Sequence, residues 1–177
     1  MLRRHLLKLL AASPLIAMSQ TNSAAQTTPA TLLRRAIPRG GELLPVIGLG
    51  TFNVFDVAPH APEMAELKEV LKTFVAGGAS VVDSSPMYGR AEAAVGELAS
   101  ALAVRPSLFL ATKVWTTGRE AGIRQMRDSL RLMRTQRIDL MQVHNLLDLT
   151  THLKTLREWK QAGTLRYLGI THYHSGA

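Results

Sequence analysis

Short apolar segments alternate with amphipathic segments along most of this chain, and that alternation restricts the fold more than any other feature of the sequence. The apolar segments predict five strands, over Val46–Thr51, Ala79–Val82, Leu108–Thr112, Ile138–Val143 and Tyr167–Thr171. Apolar residues at helical spacing predict four helices, over Glu63–Gly77, Ala91–Leu102, Arg119–Met133 and Thr151–Ala162. Such alternation is typical of a parallel sheet covered by helices. A turn with two glycines within Arg35–Leu44 predicts a hairpin ahead of the sheet.

Two architectures fit this alternation, an open doubly wound sheet and a closed (β/α)₈ barrel. An open sheet that binds a dinucleotide carries G-x-G-x-x-G after its first strand, and Gly48–Asn53 lacks the third glycine. Polar residues stand instead at the C-terminal ends of successive strands, where barrel enzymes assemble their sites. These residues are Asp83, Lys113, His144 and the pair Thr171-His172. The sequence therefore predicts an α/β fold of the TIM-barrel type.

The length of the chain bears on how much of a barrel it supplies. A whole barrel takes roughly 250 residues, whereas the chain has 177. We expect residues 36–177 to supply about the first five βα units of a barrel, incomplete at its C-terminus.

The first 25 residues have the pattern of an export signal. A basic start is followed by the apolar run Leu9–Met18 and then by small residues up to Ala25. The apolar run is shorter than the roughly 20 residues that span a bilayer, so we expect no stable membrane anchor. The pair Arg3-Arg4 resembles a bacterial twin-arginine signal, which predicts export to the periplasm by that machinery and cleavage near Ala25. An ordinary secretory signal and a retained anchor are the alternatives, and residues 26–35 are interpreted as a linker.

Composition excludes several classes of protein. The chain has 21 Lys+Arg against 13 Asp+Glu, for a net charge of +8. The excess is spread along the sequence without a basic run among aromatic residues, so we expect no nucleic-acid partner. The absence of cysteine excludes disulfides, cysteine-ligated metals and a thiol nucleophile. The histidines lack metal-ligand spacing, so no metal site is predicted.

Five segments resemble the aldo-keto reductases, a family of carbonyl reductases. They are Ile47–Phe52 (IGLGTF), Val82–Gly89 (VDSSPMYG), Thr112–Trp115 (TKVW), Ile138–His144 (IDLMQVH) and Gly169–Thr171 (GIT). The resemblance covers nearly all of the chain after the linker. One departure is Thr171-His172, where the family usually has Ser-Asn.

The resemblance implies a function and a set of site residues. It implies NADPH-dependent reduction of an aldehyde or ketone on a TIM barrel, with NADH as an open alternative. It implies a catalytic tetrad of Asp83, Tyr88, Lys113 and His144, in which Tyr88 donates the proton. The implied cofactor contacts are Gly50, Thr51, Phe52, Asp83, Thr171 and His172. The implied substrate contacts are Trp115, His144 and Asn145. The substrate's identity and the oligomeric state stay open.

The tetrad residues also suit carbonyl reduction by their chemistry. A phenol with a pKa of about 10 is a poor acid at neutral pH, and a nearby ammonium lowers that pKa. Lys113 can supply the ammonium if the second and third strands are neighbours, and Asp83 can pair with Lys113 in a partly buried site. His144 can donate a hydrogen bond to the carbonyl oxygen. The hydride must come from a cofactor, because no side chain supplies one.

Other interpretations stay open. Taken singly, each residue also has a purely structural interpretation. Asp83 could cap a turn, Lys113 could lie on the surface and His144 could be a core histidine. Tyr88 and Trp115 could be packed aromatic residues. The chain could be a non-catalytic nucleotide-binding or sensor protein of the same fold, or an inactive fragment of a barrel. A barrel aldolase with Lys113 as Schiff-base nucleophile is a third alternative. It would leave the spacing of Asp83 and Tyr88 as a coincidence.

Overall fold

The computed structural model describes residues 32–173. A hairpin of β1 (Arg34–Ala36) and β2 (Leu43–Pro45) comes first. The elements that follow are β3 (Gly48–Gly50), α1 (Glu63–Ala76), β4 (Val81–Asp83), α2 (Ala91–Ala101), β5 (Phe109–Val114), α3 (Arg119–Leu132), β6 (Ile138–His144), α4 (Leu149–Gln161) and β7 (Leu165–Thr171). The predicted export signal and residues 26–31 of the predicted linker lie outside the described residues.

The strands β3 to β7 form one parallel sheet in chain order, and a helix follows each of the first four. Parallel strands need crossover connections, and helices α1 to α4 supply them. The arrangement is a partial α/β barrel, which confirms the predicted fold class. Within the described residues, no helix is long and apolar enough to cross a bilayer.

The core lies between the sheet and its helices. The helical stripes predicted from the sequence point inward, because their spacing places these apolar side chains on one face. The buried members are Met64, Leu67 and Leu71 of α1, Val95 and Leu98 of α2, Ile123 and Met126 of α3, and Leu156 of α4. They pack against Val82, Leu110, Met141 and Val143 of the strands. Every residue of β5 is buried, so this strand forms the centre of the structure.

The hairpin packs near the N-terminal ends of the strands, at the opposite end of the sheet from the predicted site. The carboxylate of Glu42, in the hairpin, accepts hydrogen bonds from the Arg166 guanidinium and from the Tyr167 hydroxyl at 2.8 Å. Hydrogen bonding to Arg166 lowers the pKa of Glu42, although partial burial opposes it. Arg166 also donates to Asp139 at 2.9 Å. These charge-assisted bonds tie the hairpin to β6 and β7.

The strand boundaries differ slightly from those predicted. Asp83 and His144 are the last residues of β4 and β6, and Lys113 is the last but one of β5. The parallel ladders extend this far because Asp83 pairs in register with Gly50 and Ala111, and His144 pairs with Thr171. Asp83, Lys113 and His144 are therefore held by strand backbone.

Candidate active site

Parallel pairing brings the predicted residues to one end of the sheet. Since β4, β5, β6 and β7 are neighbours that run in the same direction, their C-terminal ends meet along one edge. Asp83, Lys113 and His144 come from three of those strands, and Tyr88 comes from the loop after β4. The structure thus places all four predicted tetrad residues in one cluster.

Lys113 lies at the centre of this cluster. Only 4% of its side chain is exposed, and its Nζ donates to Asp83 Oδ2 at 2.6 Å and to the Ser84 carbonyl oxygen at 2.6 Å. The same nitrogen lies 4.9 Å from the centroid of the Tyr88 ring. A buried ammonium is costly unless it is paired and hydrogen-bonded, and these contacts satisfy that requirement. The surface interpretation of Lys113 is wrong for this structure.

Tyr88 stands between two other rings. Its ring centroid lies 5.0 Å from that of Phe52 and 6.1 Å from that of His144, which it meets edge-on. Tyr88 is half-buried, so it combines packing with partial exposure to solvent. A proton donor that serves a bound substrate needs this partial exposure.

His144 is buried, and its surroundings disfavour the charged imidazolium. Burial lowers the pKa of His144, the Lys113 ammonium lowers it further, and the Asp83 carboxylate opposes both effects. Its Nδ1 lies 3.1 Å from the hydroxyl oxygen of Ser85. A neutral imidazole carries one N–H and can therefore donate one hydrogen bond.

The predicted substrate residues border the same cluster. Trp115 is 41% exposed, and its ring centroid lies 6.5 Å from that of His144, so ordinary core packing does not account for it. The Gln125 side chain accepts from the Trp115 backbone N–H at 2.6 Å and donates to its carbonyl at 3.1 Å. Gln125 thereby fixes the backbone from which the indole projects. Asn145 is half-buried in a left-handed backbone conformation directly after β6.

The predicted cofactor residues differ in their surroundings. Nothing lies within 4 Å of the position that a Cβ would take at Gly50, and the Phe52 ring beyond it is exposed. The Thr51 side chain is fully buried, with its hydroxyl 3.0 Å from the Asp83 carbonyl oxygen and 2.9 Å from Ser84 Oγ. Thr171 is half-buried at the end of β7 and His172 after it is exposed. Thr51 therefore packs the strand ends together, while Gly50 and Phe52 border open space.

Two residues of the cluster were missed from the sequence. Gln142 Nε2 donates to Asp83 Oδ1 at 3.2 Å, so the carboxylate is held through both oxygens. Its signal was its place in an apolar strand two residues before His144, which puts both on one face. Ser85 lies within the motif that contains Asp83 and Tyr88, but no pattern assigns its hydroxyl a partner. Ser85 and His144, which are in contact, are 59 positions apart in the sequence.

Comparisons with known proteins identify the family of this chain. The model of the aldo/keto reductase family matches residues 46–176. Methylglyoxal reductase YeaE of Escherichia coli (strain K12) is 33% identical over 110 residues, which cover 59% of this chain and 37% of that protein. A thermostable aldo-keto reductase solved with the inhibitor epalrestat is 27% identical, with a TM-score of 0.70 over 80% of this chain and 54% of that chain.

A second solved structure carries a cofactor. The aldo/keto reductase from Klebsiella pneumoniae, in complex with NADP and acetate, is 26% identical with a TM-score of 0.66. The match covers 76% of this chain and 48% of that chain. This chain spans less than half the length of the curated relatives compared with it. Because the family model matches well over half of its sequence, the chain belongs to the aldo/keto reductase family.

Proposed function

We propose that this chain carries the carbonyl-reducing centre of an NADPH-dependent aldo-keto reductase whose substrate is a small aldehyde or ketone. One observation carries the proposal: a buried Lys113 ammonium pairs with Asp83 at 2.6 Å and lies 4.9 Å from the centre of the Tyr88 ring. A buried ammonium, paired with a half-buried carboxylate and set beside a half-buried phenol, has a use in proton transfer. The name of the Escherichia coli relative makes methylglyoxal the first carbonyl to assay.

Tyr88 is the proposed proton donor. Reduction of a carbonyl leaves negative charge on its oxygen, and a proton must reach that oxygen. The ammonium of Lys113 stabilises the phenolate that remains when Tyr88 gives up its proton. Asp83 holds the ammonium in place, and Gln142 holds the second oxygen of Asp83. Hydrogen bonds thus link Gln142, Asp83 and Lys113, and the Lys113 ammonium lies over the Tyr88 ring.

His144 is the proposed orienting group. Its neutral imidazole lies edge-on to Tyr88 and near Trp115. A carbonyl oxygen bound among these three rings can therefore accept a hydrogen bond from the imidazole N–H. Trp115 and Asn145 border the space into which the rest of the substrate would project. The exposed indole favours substrates with an apolar group.

The chain's residues fit a nicotinamide cofactor beside this centre. The open space at Gly50 adjoins Asp83 in register, and the exposed Phe52 ring offers a flat apolar surface next to Tyr88. The Gly50 backbone, Phe52, Asp83, Thr171 and His172 would hold the nicotinamide end. Bound NADPH supplies the hydride that the carbonyl carbon accepts.

The aldolase alternative finds less support. A lysine that attacks a carbonyl must present a free amine. Two of the three ammonium protons of Lys113 are engaged, by the Asp83 carboxylate and by the Ser84 carbonyl oxygen. Borohydride trapping of a Lys113 adduct would revive this alternative. A sensor protein would instead bind NADPH without measurable turnover.

The Tyr88→Phe variant tests the proposal. It keeps the ring and its contacts with Phe52 and His144 but removes the acidic proton, so kcat for NADPH-dependent reduction of methylglyoxal falls by about 10²–10⁴. NADPH affinity, measured by fluorescence titration, stays within a factor of about two because the ring is retained. Tyr167→Phe is the matched control, since its hydroxyl binds Glu42 at the other end of the sheet. Full activity of Tyr88→Phe on every carbonyl tested would refute the proposed proton donor.

A further inference from the structure

The buried hydroxyl of Ser85 has two hydrogen-bond contacts. Its Oγ lies 3.1 Å from His144 Nδ1, and the Met87 backbone N–H donates to it at 3.4 Å. Ser85 is fully buried and His144 is nearly so, so water does not substitute readily for either contact. Among the described residues, no further hydrogen-bond partner of this hydroxyl is found.

The proton count of this arrangement restricts the imidazole. A serine hydroxyl carries one proton and two lone pairs, and the Met87 N–H occupies a lone pair. If the hydroxyl donates to Nδ1, that nitrogen is unprotonated and the single proton of the neutral ring is on Nε2. If Nδ1 instead donates to Oγ, the serine proton is left buried without an acceptor. An unsatisfied buried donor is costly, so the first arrangement is favoured.

We propose that Ser85 is a positioning residue, whose hydroxyl fixes His144 as the tautomer with its proton on Nε2. This tautomer directs an N–H away from Ser85, and of the two neutral tautomers only this one can donate from Nε2 to a carbonyl oxygen. The part that concerns catalysis rests on the proposed function, whereas the tautomer is a property of the folded chain alone. Two experiments therefore separate the two claims.

The first experiment observes the tautomer directly. Long-range ¹⁵N–¹H correlation spectra of protein labelled at histidine are recorded above neutral pH, where His144 is uncharged. His144 is expected to show a protonated Nε2 and an unprotonated Nδ1 in the native protein. His152 is an internal reference, because its Nε2 lies 2.7 Å from the Thr116 carbonyl oxygen and must carry the proton. A proton on Nδ1 of His144 would overturn the proposal, whether or not the protein reduces any carbonyl.

The second experiment removes the hydroxyl. In Ser85→Ala, the His144 signals shift toward a mixture of tautomers, and in Ser85→Thr they return to the native pattern. For carbonyl reduction, kcat of Ser85→Ala falls on the order of 10-fold, because fewer molecules present the Nε2–H donor. NADPH affinity is unchanged, and Ser85→Thr recovers most of kcat. Native tautomer signals in folded Ser85→Ala would overturn the proposal.

The two experiments fail in different ways. If the native protein shows no carbonyl reduction, the proposed function fails and the spectra still decide the tautomer. If Ser85→Ala loses its fold by circular dichroism, the native and Ser85→Thr spectra decide it.

Discussion

Among single residues, Lys113 has the widest electrostatic influence in the site. Its ammonium pairs with Asp83, lies near the Tyr88 ring and lowers the pKa of His144. In the native protein, burial and Lys113 together hold that pKa below its ordinary value of 6.5. The unfolded chain then binds more protons at His144 as the pH falls below 6.5. Protonation of His144 therefore lowers the free energy of unfolding as the pH falls from 6.5 through the folded-state pKa of this residue.

Replacing Lys113 by Met changes this balance in a known direction. The positive charge disappears while the Asp83 carboxylate remains, so the pKa of His144 rises relative to that of the native protein. The stability lost between neutral and acidic pH becomes smaller as well. An NMR titration of the imidazole measures the shift, with Lys154→Met on the exposed face of α4 as the control. An unchanged pKa in Lys113→Met would mean that the imidazole does not sense this charge.

Some features of the site follow from short stretches of sequence, and others depend on contacts between residues far apart in the chain. The clustering of Asp83, Tyr88, Lys113 and His144 could be predicted because each stands in a short motif at or just after the end of an apolar strand. The bonds from Gln142 to Asp83 and from Ser85 to His144 could not, because both join residues 59 apart through particular side-chain rotamers. The register of three strands decides whether those atoms meet. A single sequence contains the periodicity but not the register.

Among the secondary-structure elements, the contact between α2 and α3 depends on one missing side chain. A Cβ on Gly96 would lie 2.1 Å from the Leu132 carbonyl oxygen and 2.9 Å from the Met133 backbone. These are backbone atoms at the end of α3, so they cannot move aside as a flexible side chain would. The glycine therefore sets the distance between the two helices.

Gly96→Ala is expected to destabilise the protein although alanine is the better helix former. An alanine in an open helix position stabilises by about 0.4–1 kcal/mol, whereas overpacking costs roughly 1–3 kcal/mol. The overlap decides the sign, and thermal unfolding followed by circular dichroism measures it. Glu97→Ala, the neighbouring position on α2, is the control and leaves the melting temperature nearly unchanged. A higher melting temperature for Gly96→Ala would show that α2 and α3 separate easily.

The elements themselves were largely accessible from the sequence. The four amphipathic stripes predicted all four helices, because each helix buries the face that carries its apolar stripe. Helix α4 nevertheless begins at Leu149, two residues before the predicted start. Asp148 precedes it in a left-handed conformation and accepts a bond from the Gly118 N–H. That bond reaches across from the loop before α3, so local sequence did not reveal it.

Across the whole molecule, the two ends of the sheet have separate tasks. The hairpin and its Glu42–Arg166 contact lie near the N-terminal strand ends, and the tetrad occupies the C-terminal ends. This separation lets the first end stabilise the fold while the second carries polar groups at a cost to packing. Within the described residues, β3 and β7 are the outer strands of the sheet, and Ile170 of β7 is exposed. Open edges of this kind are surfaces to which further strands can pair.

If the proposed cofactor is bound before export, the protein has to cross the membrane already folded, and we propose that residues 1–25 direct this. Twin-arginine export depends on the arginine pair itself, whereas an ordinary secretory signal needs only positive charge. Arg3→Lys with Arg4→Lys keeps the charge, so it blocks export through the twin-arginine route only. Cell fractionation and immunoblotting should then find the protein in the cytoplasm of a bacterial host.

The chain offers its own control for this experiment. Arg34-Arg35 is a second arginine pair, located in β1 after the signal, and its replacement by lysines should leave export unchanged. If the Arg3 and Arg4 variant reaches the periplasm in native yield, the twin-arginine proposal is wrong. The chain would then cross the membrane unfolded, and the tetrad would assemble only after export, where any cofactor would have to be bound anew.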